Sequence, residues 1–142
     1  MKLEILSFTW NLFKSEKVEQ VTAMTKTGEV TILDNHTPLV TVLKPSIISI
    51  IYTDEAWVKS EKDFAIGGWV LEVSNSTVRV LIDMLVSIDD VDVDAAEKAK
   101  KDALAMMEKF KDAKDKVDME KFIEAEDMLL KSVAKLKLSE IK

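Results

Sequence analysis

The chain changes character near Ser87, and that seam limits what it can become. Residues 1–87 carry 19 charged side chains, whereas the shorter stretch 88–142 carries 27. Both prolines (Pro38, Pro45), all three glycines (Gly28, Gly67, Gly68) and seven of the nine aromatics lie before the seam. Proline and glycine punctuate short extended segments, while a dense run of Lys, Glu, Asp and Ala without either favours helix. One chain therefore encodes two architectures, a β unit over residues 1–87 and a helical unit over 88–142.

The β unit reads as short runs rich in β-branched residues: 18–25, 30–33, 39–43, 47–53, 57–59, 64–66, 70–73 and 78–82. Turn signals separate them, including Asp34-Asn35-His36-Thr37-Pro38, Thr53-Asp54-Glu55 and a Gly67-Gly68 pair. Alternation in Val70–Val73 and Val78–Leu81 gives each strand one buried and one wet face. Many strands at this spacing predict a sandwich or flattened barrel. The absence of a βαβ rhythm argues against an open nucleotide-binding sheet.

In the second unit Asp92 or Asp94 is placed to cap a helix carrying Val93, Ala96, Ala99, Ala103, Met106, Met107 and Phe110 at helical spacing. Its alanines make a thin face that a neighbour can approach closely. The charged stretch 112–118 breaks the pattern, and Asp118 is expected to cap a second helix with Phe122, Ala125, Leu129, Val133 and Leu136 on one stripe. The result is an antiparallel hairpin. It is too small to stand alone and its apolar face is too wide for one partner helix. It therefore leans on the β unit or lends that face to another protein, and such a weakly held element suits a conformational switch.

Chemistry is largely excluded. With no cysteine and a single histidine, the chain has no thiolate zinc site and no multi-histidine metal site. Three scattered glycines make no phosphate-binding loop, and His36, in a loop before Pro38, has no sequence partner for nucleophilic catalysis. Asp89, Asp90, Asp92 and Asp94 lack the central glycine and terminal glutamate of a calcium loop, so they read as linker and cap. Catalytic residues, metal ligands and an obligatory cofactor are thus not expected. A net charge of −6 opposes nucleic-acid binding. No apolar run reaches the length of a membrane helix and no signal peptide is evident, so the expected compartment is cytoplasmic without direct membrane insertion. Trp10, Trp57 and Trp69 are divided between core and interface. Lys131 and Lys135, one helical turn apart with Lys137 nearby, share a face able to grip an acidic surface or a phosphate. These residues describe an interaction protein, not an enzyme.

The residues also carry a family likeness. The run from Gly28-Glu29-Val30 through Asp34-Asn35-His36-Thr37-Pro38-Leu39 to Lys44-Pro45 resembles the signature of the epsilon subunit of F-type ATP synthases. Gly67-Gly68-Trp69-Val70-Leu71-Glu72-Val73 is similar to that family's glycine-pair strand, and Val78–Asp83 to its last strand. Thr31, Asn35 and Ser46 stand where the family usually has glycine. The resemblance implies a ten-stranded β-sandwich docked on the gamma subunit at the foot of the central stalk. It implies contact with gamma and the c-ring through Glu29, Asp34, Asn35, His36, Thr37 and Pro38. A mobile hairpin would inhibit hydrolysis, with Lys131, Lys135 and Lys137 meeting the catalytic alpha/beta subunits at an acidic beta surface. The complex would lie peripherally on the inner face of the cell membrane. Some bacterial members bind regulatory ATP through a hydrophobic-Asp-x-x-Arg-Ala motif. Here the matching stretch is Val117–Phe122, so Asp118, Lys121, Lys131 and Lys135 form the corresponding ATP-binding alternative. The same subunit in a motor with another purpose is a further alternative.

Overall fold

The computed structural model describes residues 1–7 and 11–141; Trp10 therefore lies outside the described residues. Eight strands are seen among them: β1 (Lys2–Leu6), β2 (Asn11–Ser15), β3 (Val18–Thr25), β4 (Gly28–Leu33), β5 (Leu39–Val42), β6 (Ser46–Thr53), β7 (Lys59–Ser74) and β8 (Thr77–Ser87). After a single 3-10 turn at Ile88–Asp90 come α1 (Val93–Phe110) and α2 (Lys116–Ile141). The strands run in the order β2-β1-β8-β7-β6-β3-β4, with β5 paired to β7, so the sheet is not closed. It folds over into a sandwich followed by a helical hairpin.

Ten strands were expected, and the difference lies mainly in β7. The runs 57–59, 64–66 and 70–73 are not three strands: Lys59–Ser74 is one continuous strand. Its first half pairs with β6 (Thr53 opposite Lys59, Ser46 opposite Ile66) and its second half with β5 (Val42 opposite Val70, Leu39 opposite Val73). Gly67-Gly68 is not a turn but a bulged bend within the strand, where the register against β8 slips between Gly67 and Val70. Gly68 is required there because a Cβ would lie 2.7 Å from the carbonyl carbon and oxygen of Leu43. The Leu43 amide also donates to the Trp69 carbonyl at 2.8 Å, which locks β5 onto the bend.

The sandwich core is built from alternate strand positions, including Leu3, Ile5, Val21, Ile32, Ile48, Ile50, Ile66, Leu71, Val78, Val80 and Ile82, all fully buried, with the parity of β7 switching at its bulge between Ile66 and Leu71. Phe13 adds edge-on contacts to Phe64 and Tyr52 at 5.6 and 6.1 Å between ring centroids.

In the hairpin, Asp92 caps α1 by accepting from the Ala95 amide at 3.1 Å. Asp118 does not cap α2. The helix starts earlier, and Asp115 accepts from the Val117 amide at 3.2 Å, leaving Asp118 in the first turn. Ala96 and Ala103 of α1, and Ala125 and Ser132 of α2, are the buried positions between the helices. Each pair is seven residues apart, two full turns, so small side chains line both sides and let the axes come close.

Candidate functional site

Two surfaces concentrate the features singled out in the sequence. The first is where α2 lies on the outer face of β6 and β7. Lys131, Ala134 and Leu138 follow at helical spacing and face the sandwich. Ala134 and Leu138 are buried with Ala65, and Ile47, Met84, Val86, Ile88 and Val91 pack around them. Two turns before Leu138, the Lys131 ammonium is held between Asp83 of β8 at 2.8 Å and Asp127 of α2 at 2.9 Å. Burial alone would depress the Lys131 pKa, but the hydrogen bonds to Asp83 and Asp127 outweigh it and hold the group above its ordinary value. Gly67 makes this geometry possible, because a Cβ there would overlap the Asp83 carboxylate and come within 2.7 Å of Lys131 Cε.

Two grooves flank the helix. One, of about 380 Å³, is lined by Leu130, Val133 and Lys137 of α2 and by Glu29, Lys44 and Ser49 of the sandwich. The other, of about 750 Å³, lies toward the hairpin tip between Ile123, Glu126 and Asp127 and the rim made by Lys26, Val42 and Trp69.

The second surface is the end of the sandwich where β4 passes to β5. Asn35 has φ of 61°, a left-handed conformation natural to glycine and tolerated by asparagine. The His36 amide donates to the Leu33 carbonyl at 3.2 Å, and its half-buried ring donates from Nδ1 to the Thr37 carbonyl at 2.7 Å. Asp34 pairs with the Met1 amino group at 2.9 Å, while Thr37 and Pro38 are exposed.

Backbone bonds place neighbouring segments at this end: the Val18 amide donates to Met1 and the Lys2 amide to Ser76. Tyr52 lies opposite Val18, which brings the loop after β6 to the same end. There Asp54 accepts from the Ala56 and Val58 amides, each at 2.9 Å, and Trp57 stands out 76% exposed with Lys17 Nζ 3.5 Å above its ring. Lys59 bonds Glu19 at 2.8 Å and, as its hydrogen-bond donor, holds that carboxyl below its usual range. The exposed Trp57 loop was split in the sequence between a turn and a strand; its legible signal was the Asp54 two residues before Ala56, an Asx turn.

The structure gathers Asp34, Asn35, His36, Thr37 and Pro38 in one loop but leaves Glu29 apart. Glu29 is the second residue of β4 and lies five residues, about 17 Å of strand, from Asp34, beside Lys44 and Lys137. Lys131 is engaged with the sandwich, Lys135 is half-buried and Lys137 exposed. Lys121 lies ten residues before Lys131, about 15 Å along α2, where its ammonium is 5.3 Å from the Phe110 ring. Asp118 is one turn further out. The docked hairpin therefore does not bring Asp118 and Lys121 together with Lys131 and Lys135. Among the described residues no cluster of three or more His, Cys, Asp or Glu is arranged to hold a metal, and no helix is long and apolar enough to cross a membrane.

Residues 1–88 match the family model described as the ATP synthase delta/epsilon chain β-sandwich domain. The ATP synthase epsilon chain of Hydrogenovibrio crunogenus is 41% identical over 103 residues, covering 72% of this chain and 67% of that one. The epsilon chain of Xanthomonas campestris pv. campestris is 35% identical over 103 residues, with 72% and 70% covered. A chain in the Euglena gracilis mitochondrial ATP synthase (OSCP/F1/c-ring, rotational state 1) superposes with a TM-score of 0.73 at 21% identity, covering 99% of this chain and 80% of that one. One in the central stalk and c-ring of the Tetrahymena thermophila mitochondrial enzyme gives 0.55 at 20% identity, with 64% and 69% covered. These two structures speak to the fold, and the family model with the two epsilon chains speaks to kinship. A sandwich followed by a hairpin fits both, and the chain belongs to the epsilon-subunit family of F-type ATP synthases, non-catalytic components of the stalk.

Proposed function

We propose that this chain is a rotor subunit that docks by its sandwich on a gamma subunit and turns its Asp34–Pro38 end toward the c-ring. In this reading it sits peripherally on the inner face of the cell membrane, and its hairpin regulates ATP hydrolysis. Docked on the sandwich, the hairpin permits rotation; released, it extends along gamma and presents Lys131, Lys135 and Lys137 to an acidic face of the catalytic subunits. The observation that carries this reading is the unequal build of the two units. The sandwich has a closed core of its own, whereas among the described residues the hairpin rests on a small apolar cluster beside the Lys131–Asp83 ion pair.

Reconstitution with gamma and the catalytic subunits tests it. The full chain should co-purify with gamma and lower hydrolysis. A chain ending after Val91 should bind equally well and lower it no longer. No measurable affinity for gamma would overturn the docking role, and undiminished inhibition by the shortened chain would overturn the role of the hairpin. Because encounter between lysines and an acidic face is screened within about 8 Å at physiological salt, inhibition should weaken as ionic strength rises.

A further inference from the structure

The face that α2 lays on the sandwich is short and unevenly built. At one end Leu138 is fully buried; in the middle Ala134 meets Ala65, two methyl groups with little area between them. At the other end the contact is ionic. Lys131 Nζ has three N–H donors, and two are taken by Asp83 and Asp127. Asp127 belongs to α2 itself, one turn before Lys131, so that bond travels with the helix and adds nothing to docking. Of these two bonds, it is the one to Asp83 that crosses from hairpin to sandwich. Asp83 is presented for it by the irregular pairing of β8 opposite Gly67 and Gly68, and the lysine stem lies over the one position in this stretch where a side chain would block it.

We propose that Asp83, Lys131 and Gly67 form a clasp that sets the fraction of time the hairpin spends on the sandwich, with Asp127 as a waiting partner that holds the Lys131 ammonium when the clasp opens. The same lysine cannot stay on Asp83 and engage an acidic surface on another protein while the helix is away, so docking and outside engagement exclude each other at this atom. This deepens the reading of the hairpin as a switch, and its test uses the isolated full chain, so it stands or falls apart from any binding to gamma.

The two carboxylates and the lysine are each partly shielded from solvent, and the ions touch at distances well inside the screening length. Salt alone should therefore open the clasp only weakly, while removing the sandwich partner should open it strongly.

Hydrogen exchange of the full chain, read by mass spectrometry, measures this directly. Asp83→Asn should raise the open population of the hairpin by about tenfold, seen as faster exchange in segments 128–141 and 84–88. Segments 18–25 and 78–82 of the sandwich core should be unchanged, which separates undocking from unfolding. Asp127→Asn, lacking only the bond internal to α2, should change these rates less than about twofold. Asp83→Glu, which keeps the charge, should lie between the two. Equal effects of Asp83→Asn and Asp127→Asn, or no effect of either, would overturn the clasp. So would uniform loss of protection in the core segments with Asp83→Asn, since that would make Asp83 a folding residue.

Discussion

A methyl group at position 67 would enter space already held by the Asp83 carboxylate and press on the Lys131 side chain. Both are ends of side chains that can withdraw, and Met84 Cβ at 3.1 Å need give only a few tenths of an ångström, so Gly67→Ala should fold. It should lose the Asp83–Lys131 contact and about 1–3 kcal/mol of stability in denaturant titration. Gly68→Ala meets the Leu43 backbone instead, which cannot withdraw, and should cost more in the same measurement. Titration separates the charged groups. Lys131 has a pKa raised in the folded chain, so its contribution is fully present below the ordinary lysine value of 10.5 and is lost as pH climbs through the folded value. The difference in hairpin protection between the native chain and Lys131→Gln should thus be flat from neutral pH to about 10 and then vanish. Glu4, hydrogen-bonded by Lys2 and Arg79, and Glu19, hydrogen-bonded by Lys59, have lowered values. Their contributions are present above the ordinary glutamate value of 4.5 and fade as pH falls through the folded ones. Melting temperature should therefore decline on the acid side, less steeply in a Glu4→Gln, Glu19→Gln double variant.

At the scale of elements, Leu138 is the largest side chain that α2 buries on the sandwich. Leu138→Ala should weaken docking by about 2–5 kcal/mol, visible as loss of protection across α2 with the sandwich melting near its usual temperature. The elements also show what a sequence discloses. The strands β3, β4, β5 and β6 lay within a residue or two of the expected runs, because each is a short apolar stretch between strong turn signals. β7 did not, since a glycine pair reads as a turn whether the chain reverses or merely bends, and only the partners on either side decide between the two. β1 and β2 are not legible as strands, because their apolar residues, Leu3, Ile5, Leu12 and Phe13, are too few to set a period. The helix boundaries follow from charge and alanine spacing, but the cap is Asp115 where Asp118 was expected, because only packing shows that Val117 already lies in the helix. The Asp34–Pro38 loop was legible as a unit; the separation of Glu29 from it was not, since sequence nearness hides the length of an extended strand. Nor could spacing reveal that Lys131 turns inward while Lys137, six residues on, faces solvent.

For the whole molecule, the ledger of burial divides at Ser87. Among the described residues, the buried residues of the main core all lie in strands or at the strand bridge of Leu43. The helices bury chiefly alanines and Leu138. A chain cut after Val91 should therefore keep most of the free energy of the sandwich and unfold cooperatively, whereas the full chain should show an additional, earlier loss of helical signal in denaturant. Overlapping transitions at two wavelengths of circular dichroism, one sensitive to helix and one to the tertiary environment of the tryptophans, would contradict this. One further property follows from β7. Sixteen residues of unbroken strand, about 50 Å of extended chain, pass from one layer of the sandwich into the other with ladders on both sides. A load applied to one layer is thus carried to the other by covalent bonds and by hydrogen bonds strained in shear, not by a loop that can straighten. A twist applied to one layer is therefore shared by the other through β7 and its ladders.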